Sequence, residues 1–147
     1  MVDFKLVLSD AKDGRAYNVG VSGGSANAFI GKRIGEEVDG GQVGLGGYRM
    51  KITGGSDRNG NPMRADLPGM ARKRLLLSGG SGFHPRLEGE RRRKMVRGSE
   101  ITPDFVQINA SVTAYGEKPL GEYFKKGEEK PGEKEAQAGK ERPAKRK

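Results

Sequence analysis

Glycine is the feature that most limits what this chain can fold into. There are 25 glycines in 147 residues, well above the usual share, and many fall in pairs: Gly23-Gly24, Gly40-Gly41, Gly46-Gly47, Gly54-Gly55 and Gly79-Gly80. A residue without Cβ turns corners that others cannot and weakens helices, so repeated pairs cut the chain into short extended segments joined by tight turns. Residues 4–8 and 17–21 read as two strands around a turn segment at 10–14, an opening hairpin. Further strand candidates are residues 41–45, 48–53, 74–78 and 106–113. The last alternates Val106, Ile108, Ala110 and Val112 with Gln107, Asn109, Ser111 and Thr113, and that period of two buries one face. A single helical turn is expected from Ser25, as N-cap, through Ala26, Ala28, Phe29 and Ile30 to Gly31, as a cap over a barrel end. The pattern predicts a mainly β fold: a small β-barrel with Gly-rich loops, a short helical turn and a basic, largely irregular C-terminal extension.

Two domains of behaviour follow from composition. Residues 1–115 form the expected barrel, including a basic loop at 78–98. Residues 116–147 hold ten basic and seven acidic residues with almost nothing apolar after Phe124, which cannot repay the entropy of folding, so this tail is expected to be disordered unless bound. A short helix around residues 121–126 is expected, with Glu122 and Lys126 spaced for an ion pair. The chain has no cysteine, which excludes disulfides, zinc knuckles and thiolate catalysis and fits a reducing cytoplasm. Its first residues lack the basic segment of a signal peptide, and no apolar run approaches membrane-spanning length. No membrane partner is expected.

Charge points to a partner. Residues 72–97 carry nine Arg/Lys against two Glu, and the whole chain has net charge +9 with pI near 9.9. Such density repels itself and normally persists because a polyanion neutralises it. Seven of the nine are arginine, whose planar fork suits the fixed geometry of folded RNA. Leu75, Leu76 and Leu77 should be mostly core. Phe83 reads first as a core residue and otherwise, with His84, as a stacking surface for an unpaired base. Lys145, Arg146 and Lys147 could grip phosphate at the end of the tail.

Motifs for other chemistry fail on inspection. Gly31-Lys32-Arg33 ends like a phosphate-binding loop, but Ala26 stands where its glycine is required and Arg33 where Ser or Thr would ligate magnesium. Residues 57–61, DRNGN, open like a calcium loop, yet Pro62 and Pro68 occupy the positions of its glycine and bidentate Glu. Residues 52–63 can instead form a compact turned loop, either a plain hairpin connection or one whose backbone N–H groups face an anion. Glu36, Glu37 and Asp39 form the one acidic cluster of the expected barrel, in a Gly-bounded turn. That leaves an enzyme poorly supplied, and no catalytic residue, metal, cofactor or small-molecule substrate is expected.

Taken together, ITGGSDRNGNPM, RKRLLLSGGSGFHPR, GERRRKMVRG and VQIN resemble the S6e family of small-subunit ribosomal proteins, the archaeal and eukaryotic type, over residues 4 to about 120. The resemblance implies a structural constituent of the small ribosomal subunit, cytoplasmic, with ribosomal RNA and neighbouring ribosomal proteins as partners and a β-barrel body. Its RNA contacts would be Arg58 and Arg64 around the loop, Arg72, Lys73 and Arg74, then Arg86, Arg91, Arg92, Arg93, Lys94 and Arg97. Eukaryotic members end in a longer segment with phosphorylatable serines. Here no Ser or Thr follows Thr113, and the short tail looks archaeal. The alternative readings are a free RNA-binding assembly or modification cofactor and, furthest off, a small β-barrel enzyme.

Overall fold

The computed structural model describes residues 3–124. Strands β1 (Asp3–Asp10) and β2 (Arg15–Ser22) pair antiparallel, with Leu6 opposite Val19. The turn between them is pinned by the buried Asp10, whose carboxylate accepts the Lys12 N–H at 2.8 Å and the Tyr115 hydroxyl at 2.8 Å. After the short helix α1 (Gly24–Asn27) come β3 (Glu37–Asp39), a single 3₁₀ turn (Gly40–Val43) and β4 (Arg49–Asp57). Strands β5 (Arg72–Leu77) and β6 (Arg92–Arg97) make a second hairpin, and β7 (Phe105–Ala114) is the longest strand.

Five strands form one curled sheet, a half-barrel, in the order β2-β1-β7-β4-β3. Strand β7 sits at its centre, parallel to β1 and antiparallel to β4. The register shifts at three places along β4, where glycine and polar residues let the sheet curl. Alternation sends Phe4, Leu6 and Leu8 of β1, Met50 and Ile52 of β4, and Ile108, Ala110 and Val112 of β7 to one buried face. Each large side chain among them contributes about 1.5–3 kcal/mol relative to exposure. Phe29, just beyond α1, and Ile101 close this core.

Five of the expected strands formed, and the sixth did not. Residues 41–45 lie in and just beyond the 3₁₀ turn, because Gly44 adopts φ 83° and its N–H bonds back to Gly41. The acidic stretch read as a turn contains β3 instead, held by burial of Val38. The expected basic loop at 78–98 is likewise corrected: Arg92–Arg97 is strand β6, paired residue for residue with β5. Leu76, expected in the core, is 57% exposed, since strand alternation can bury only the other face, where Leu77 packs with Phe83 and Val96.

The hairpin is joined to the half-barrel by backbone. The Arg97 N–H donates to the Pro62 carbonyl at 2.9 Å, and the Arg64 N–H donates to the Arg97 carbonyl at 3.1 Å. Just beyond β6, residues 67–71 cross against Gly98, and a Cβ there would lie 1.7 Å from the Gly69 oxygen. Only glycine permits that crossing.

The chain divides into two compact units, residues 1–117 and 118–147. Of the second, residues 118–124 are described and contain α2 (Leu120–Phe124). Lys126, Lys145, Arg146, Lys147 and the expected order or disorder of the tail lie outside the described residues.

Candidate nucleic-acid interface

Strands β5 and β6 place most of the basic stretch on one two-stranded ribbon. Its register sets Arg74 opposite Met95 and Leu76 opposite Arg93 on the outward face. On the other face, Leu75 lies opposite Lys94 and Leu77 opposite Arg92, so the aliphatic stems of Lys94 and Arg92 run beside the small core of Leu77, Phe83 and Val96. Loop residues His84, Arg86 and Arg91 are exposed between the strands. Phe83 is buried, in line with the core reading.

The loop after β4 is organised around one carboxylate. Asp57 is buried, its Oδ1 accepts the N–H groups of Asn59 and Asn61 at 2.9 Å each, and its Oδ2 accepts Asn61 Nδ2 at 3.0 Å. Arg72 reaches the same Oδ2 at 3.0 Å. Burial pushes the Asp57 carboxyl up, but the hydrogen bonds from Asn61 and Asn59 and the Arg72 charge together outweigh it and hold the group below the ordinary carboxylate range. Every backbone N–H from Asp57 to Arg64 has an acceptor within the fold, Pro62 having none to give. The loop therefore offers no ring of N–H groups to an anion, and of the two readings of residues 52–63 the plain connection is the one that fits. What it presents outward is the Arg58 side chain.

The basic residues separate into paired and free. Arg97 is 5% exposed and turns inward: its Nη2 bonds the Thr102 hydroxyl and lies 3.4 Å from Asp104, and its guanidinium sits 5.1 Å from the Phe105 ring centre. The RNA contact expected of Arg97 has no exposed guanidinium to make it: Nη2 is engaged inside the fold, and the buried Nε has no hydrogen-bond partner among the described residues. Arg72 bridges Asp57 and Asp104, Arg64 holds Asp66 at 2.7 Å, and Arg92 meets Glu90 at 2.6 Å. The main-chain N–H of Arg86 donates to the other Glu90 oxygen at 2.9 Å, and this bond, with the Arg92 charge, holds Glu90 ionised below its usual range. Arg58, Lys73, Arg74, Arg86, Arg91, Arg93 and Lys94 have exposed side chains with no acidic partner among the described residues.

Two clefts open on this surface. The larger, about 750 Å³, lies between Gly60, Asn61 and Pro62 of the loop and Arg74, Arg93, Lys94 and Met95 of the hairpin, with Gly82 at its side. The smaller, about 410 Å³, is bounded by Phe83, His84, Arg86, Glu90, Arg92 and Lys94. Loop and hairpin thus form one composite surface. From sequence Met95 has no role, and Pro62 enters only as the residue that bars a calcium loop. Their only signal there is position: Met95 alternates with two cations, and Pro62 ends the Asp57 turn.

The profile of the Ribosomal protein S6e family matches residues 4–125. The chain belongs to the ribosomal protein S6e family. A small ribosomal subunit protein eS6 from Methanospirillum hungatei is 62% identical over 84% of this chain and 92% of its own length. Another, from Methanocella arvoryzae, is 57% identical over 99% of this chain and the whole of that protein. The counterpart from Archaeoglobus fulgidus is 54% identical over 87% of this chain, again at full length. These relatives are archaeal, and the S6e match takes in both the Asp57 loop and the basic hairpin.

Proposed function

We propose that this chain is a structural constituent of the small ribosomal subunit in the cytoplasm, binding ribosomal RNA through the β5–β6 hairpin and the Asp57 loop. The observation that carries the reading is a set of seven cations without acidic partners among the described residues, gathered on one ribbon and its adjoining loop in a member of a ribosomal protein family. Cations already paired within the protein gain little from a phosphate, because the exchange must first break an existing pair. Unpaired ones release counterions from the RNA at no such cost. Arg58, Lys73, Arg74, Arg86, Arg91, Arg93 and Lys94 are therefore the principal phosphate contacts. His84 contributes a further exposed ring, Arg64, Arg72 and Arg92 contribute through their outer edges, and the tail residues Lys145, Arg146 and Lys147 add charge. The half-barrel acts as the mount for this surface, and neighbouring ribosomal proteins are the other partners. No step of this role requires chemistry at a catalytic residue.

Sedimentation of cell extract through gradients of rising salt tests the proposal. The protein should travel with the small subunit at low salt, in one-to-one amount, and leave it as salt rises. Migration at the top of the gradient at every salt concentration would overturn the ribosomal reading. Substoichiometric association would favour a free assembly factor.

A further inference from the structure

The outward face of the hairpin is not uniformly basic. Arg74 and Arg93 occupy two corners of a four-residue checkerboard, and Met95 and Leu76 occupy the others, exposed at 40% and 57%. A surface that only met duplex phosphates would need the cations and would lose nothing by replacing Met95 and Leu76 with polar residues. Of the two, Met95 lines the cleft against the Asp57 loop and Leu76 does not; an exposed thioether between arginines fits a ligand that is flat and apolar on one part and anionic on another.

We propose that the cleft between the Asp57 loop and this face holds a single unpaired nucleotide of the bound RNA. The base lies on the Pro62 ring and the Met95 thioether, and its phosphate is held between Arg74 and Arg93. This assignment rests on the RNA-binding reading above and adds the ligand of one site to it. The cleft is open and about 750 Å³, and its lining combines both chemistries: the apolar Pro62 from the loop and Met95 from the hairpin, with the cations Arg74, Arg93 and Lys94 beside Met95. Neither Arg74 nor Arg93 has an acidic partner among the described residues.

The floor is held before any ligand arrives. Asn61 is tied to Asp57 through both its main-chain N–H and its side-chain amide, and the next residue, Pro62, accepts the Arg97 N–H. From the side, Gly82 adopts φ +93°, and a Cβ there would stand 2.8 Å from the Pro62 Cγ. The loop can therefore close on the proline ring only because residue 82 is glycine. A prearranged cleft loses little entropy on binding, and its arginines beside an apolar surface match a phosphate attached to an unstacked base.

The test uses the full chain and two RNA hairpins identical except that one carries a single bulged 2-aminopurine. The bulged hairpin should bind about five- to tenfold more tightly, in the range of one base contact, with a change in its fluorescence. Met95→Lys should abolish that preference while keeping or raising affinity for the paired hairpin, because charge is added as the apolar floor is removed. Met95→Leu should retain the preference, and Leu76→Lys, outside the cleft, should retain it too. Equal binding of both hairpins by the native chain, with normal salt dependence, would overturn the nucleotide cleft and leave the RNA-binding reading standing. Failure to bind either hairpin would remove both. An unaltered preference in Met95→Lys would place the base elsewhere, and tighter binding of an amphipathic acidic peptide than of the bulged hairpin would make the cleft a protein site.

Discussion

Asp57 does two jobs with one carboxylate: it closes the loop by accepting Asn59 and Asn61, and it fixes Arg72 at the base of the hairpin. Because its folded value is depressed, the unfolded chain takes up a proton at Asp57 before the folded chain does. The native state is thus favoured above the unfolded value near 3.9, and that contribution is lost as pH falls through the lower folded value. Asp10, depressed despite burial by Tyr115 and the Lys12 and Asp13 N–H groups, acts with the same sign. Urea titrations between pH 6 and 2 should show stability falling below about pH 4. Asp57→Asn should flatten that acid limb and cost about 1–3 kcal/mol at pH 7, as expected for hydrogen bonds to a buried charge. An unchanged acid limb in the variant would mean that other carboxylates dominate. The DRNGN spelling showed a compact turn, but not which way its N–H groups point. That depends on a carboxylate being buried beside a sheet, which is not a local property.

At the scale of the element, the β5–β6 ribbon divides its arginines between structure and surface by position alone. Arg97, at the end held by Pro62 and Arg64, is buried and bonds Thr102 and Asp104, while Arg91 and Arg93, nearer the open end, face solvent without acidic partners among the described residues. Replacing Arg91, Arg92 and Arg93 together by Ala should leave the melting temperature nearly unchanged, since the one pair removed, Arg92 with Glu90, involves an exposed guanidinium. The same variant should flatten the salt dependence of RNA binding by roughly 0.7–0.9 in slope for each phosphate left without its cation. Arg97→Ala should do the reverse, costing about 1–3 kcal/mol of stability and leaving the slope close to native. Melting curves and binding isotherms at several salt concentrations check both halves, and a large slope change from Arg97 alone would contradict its inward placement. Strand β6 escaped the sequence reading because RRRKMVR lacks the alternation that marks a half-buried strand: of its six residues, Val96 and Arg97 alone are buried. It is a strand because β5 lies opposite each of its residues in antiparallel register and bonds the alternate ones, information held elsewhere in the chain.

For the molecule as a whole, strand position sets local stability. Strand β7 is bonded on both sides, to β1 and β4, whereas β2 is an edge and the β5–β6 hairpin is a sheet of two. Amide exchange of the free protein should therefore be slowest in β7 and faster in β2 and the hairpin, and small-subunit RNA should slow the hairpin selectively. A hairpin already as protected as β7 would show that it needs no partner to be rigid. The mainly β class, the opening hairpin, the alternation of β7 and the basic stretch all followed from sequence, because side-chain periodicity and glycine corners act over a few residues and charge needs no geometry to be counted. Which cations remain free, which way the Asp57 loop faces and the meeting of Pro62 with Met95 were decided only in three dimensions. Each is a contact between segments far apart in the chain, and its outcome depends on register, burial and the partners the fold brings within a few ångströms.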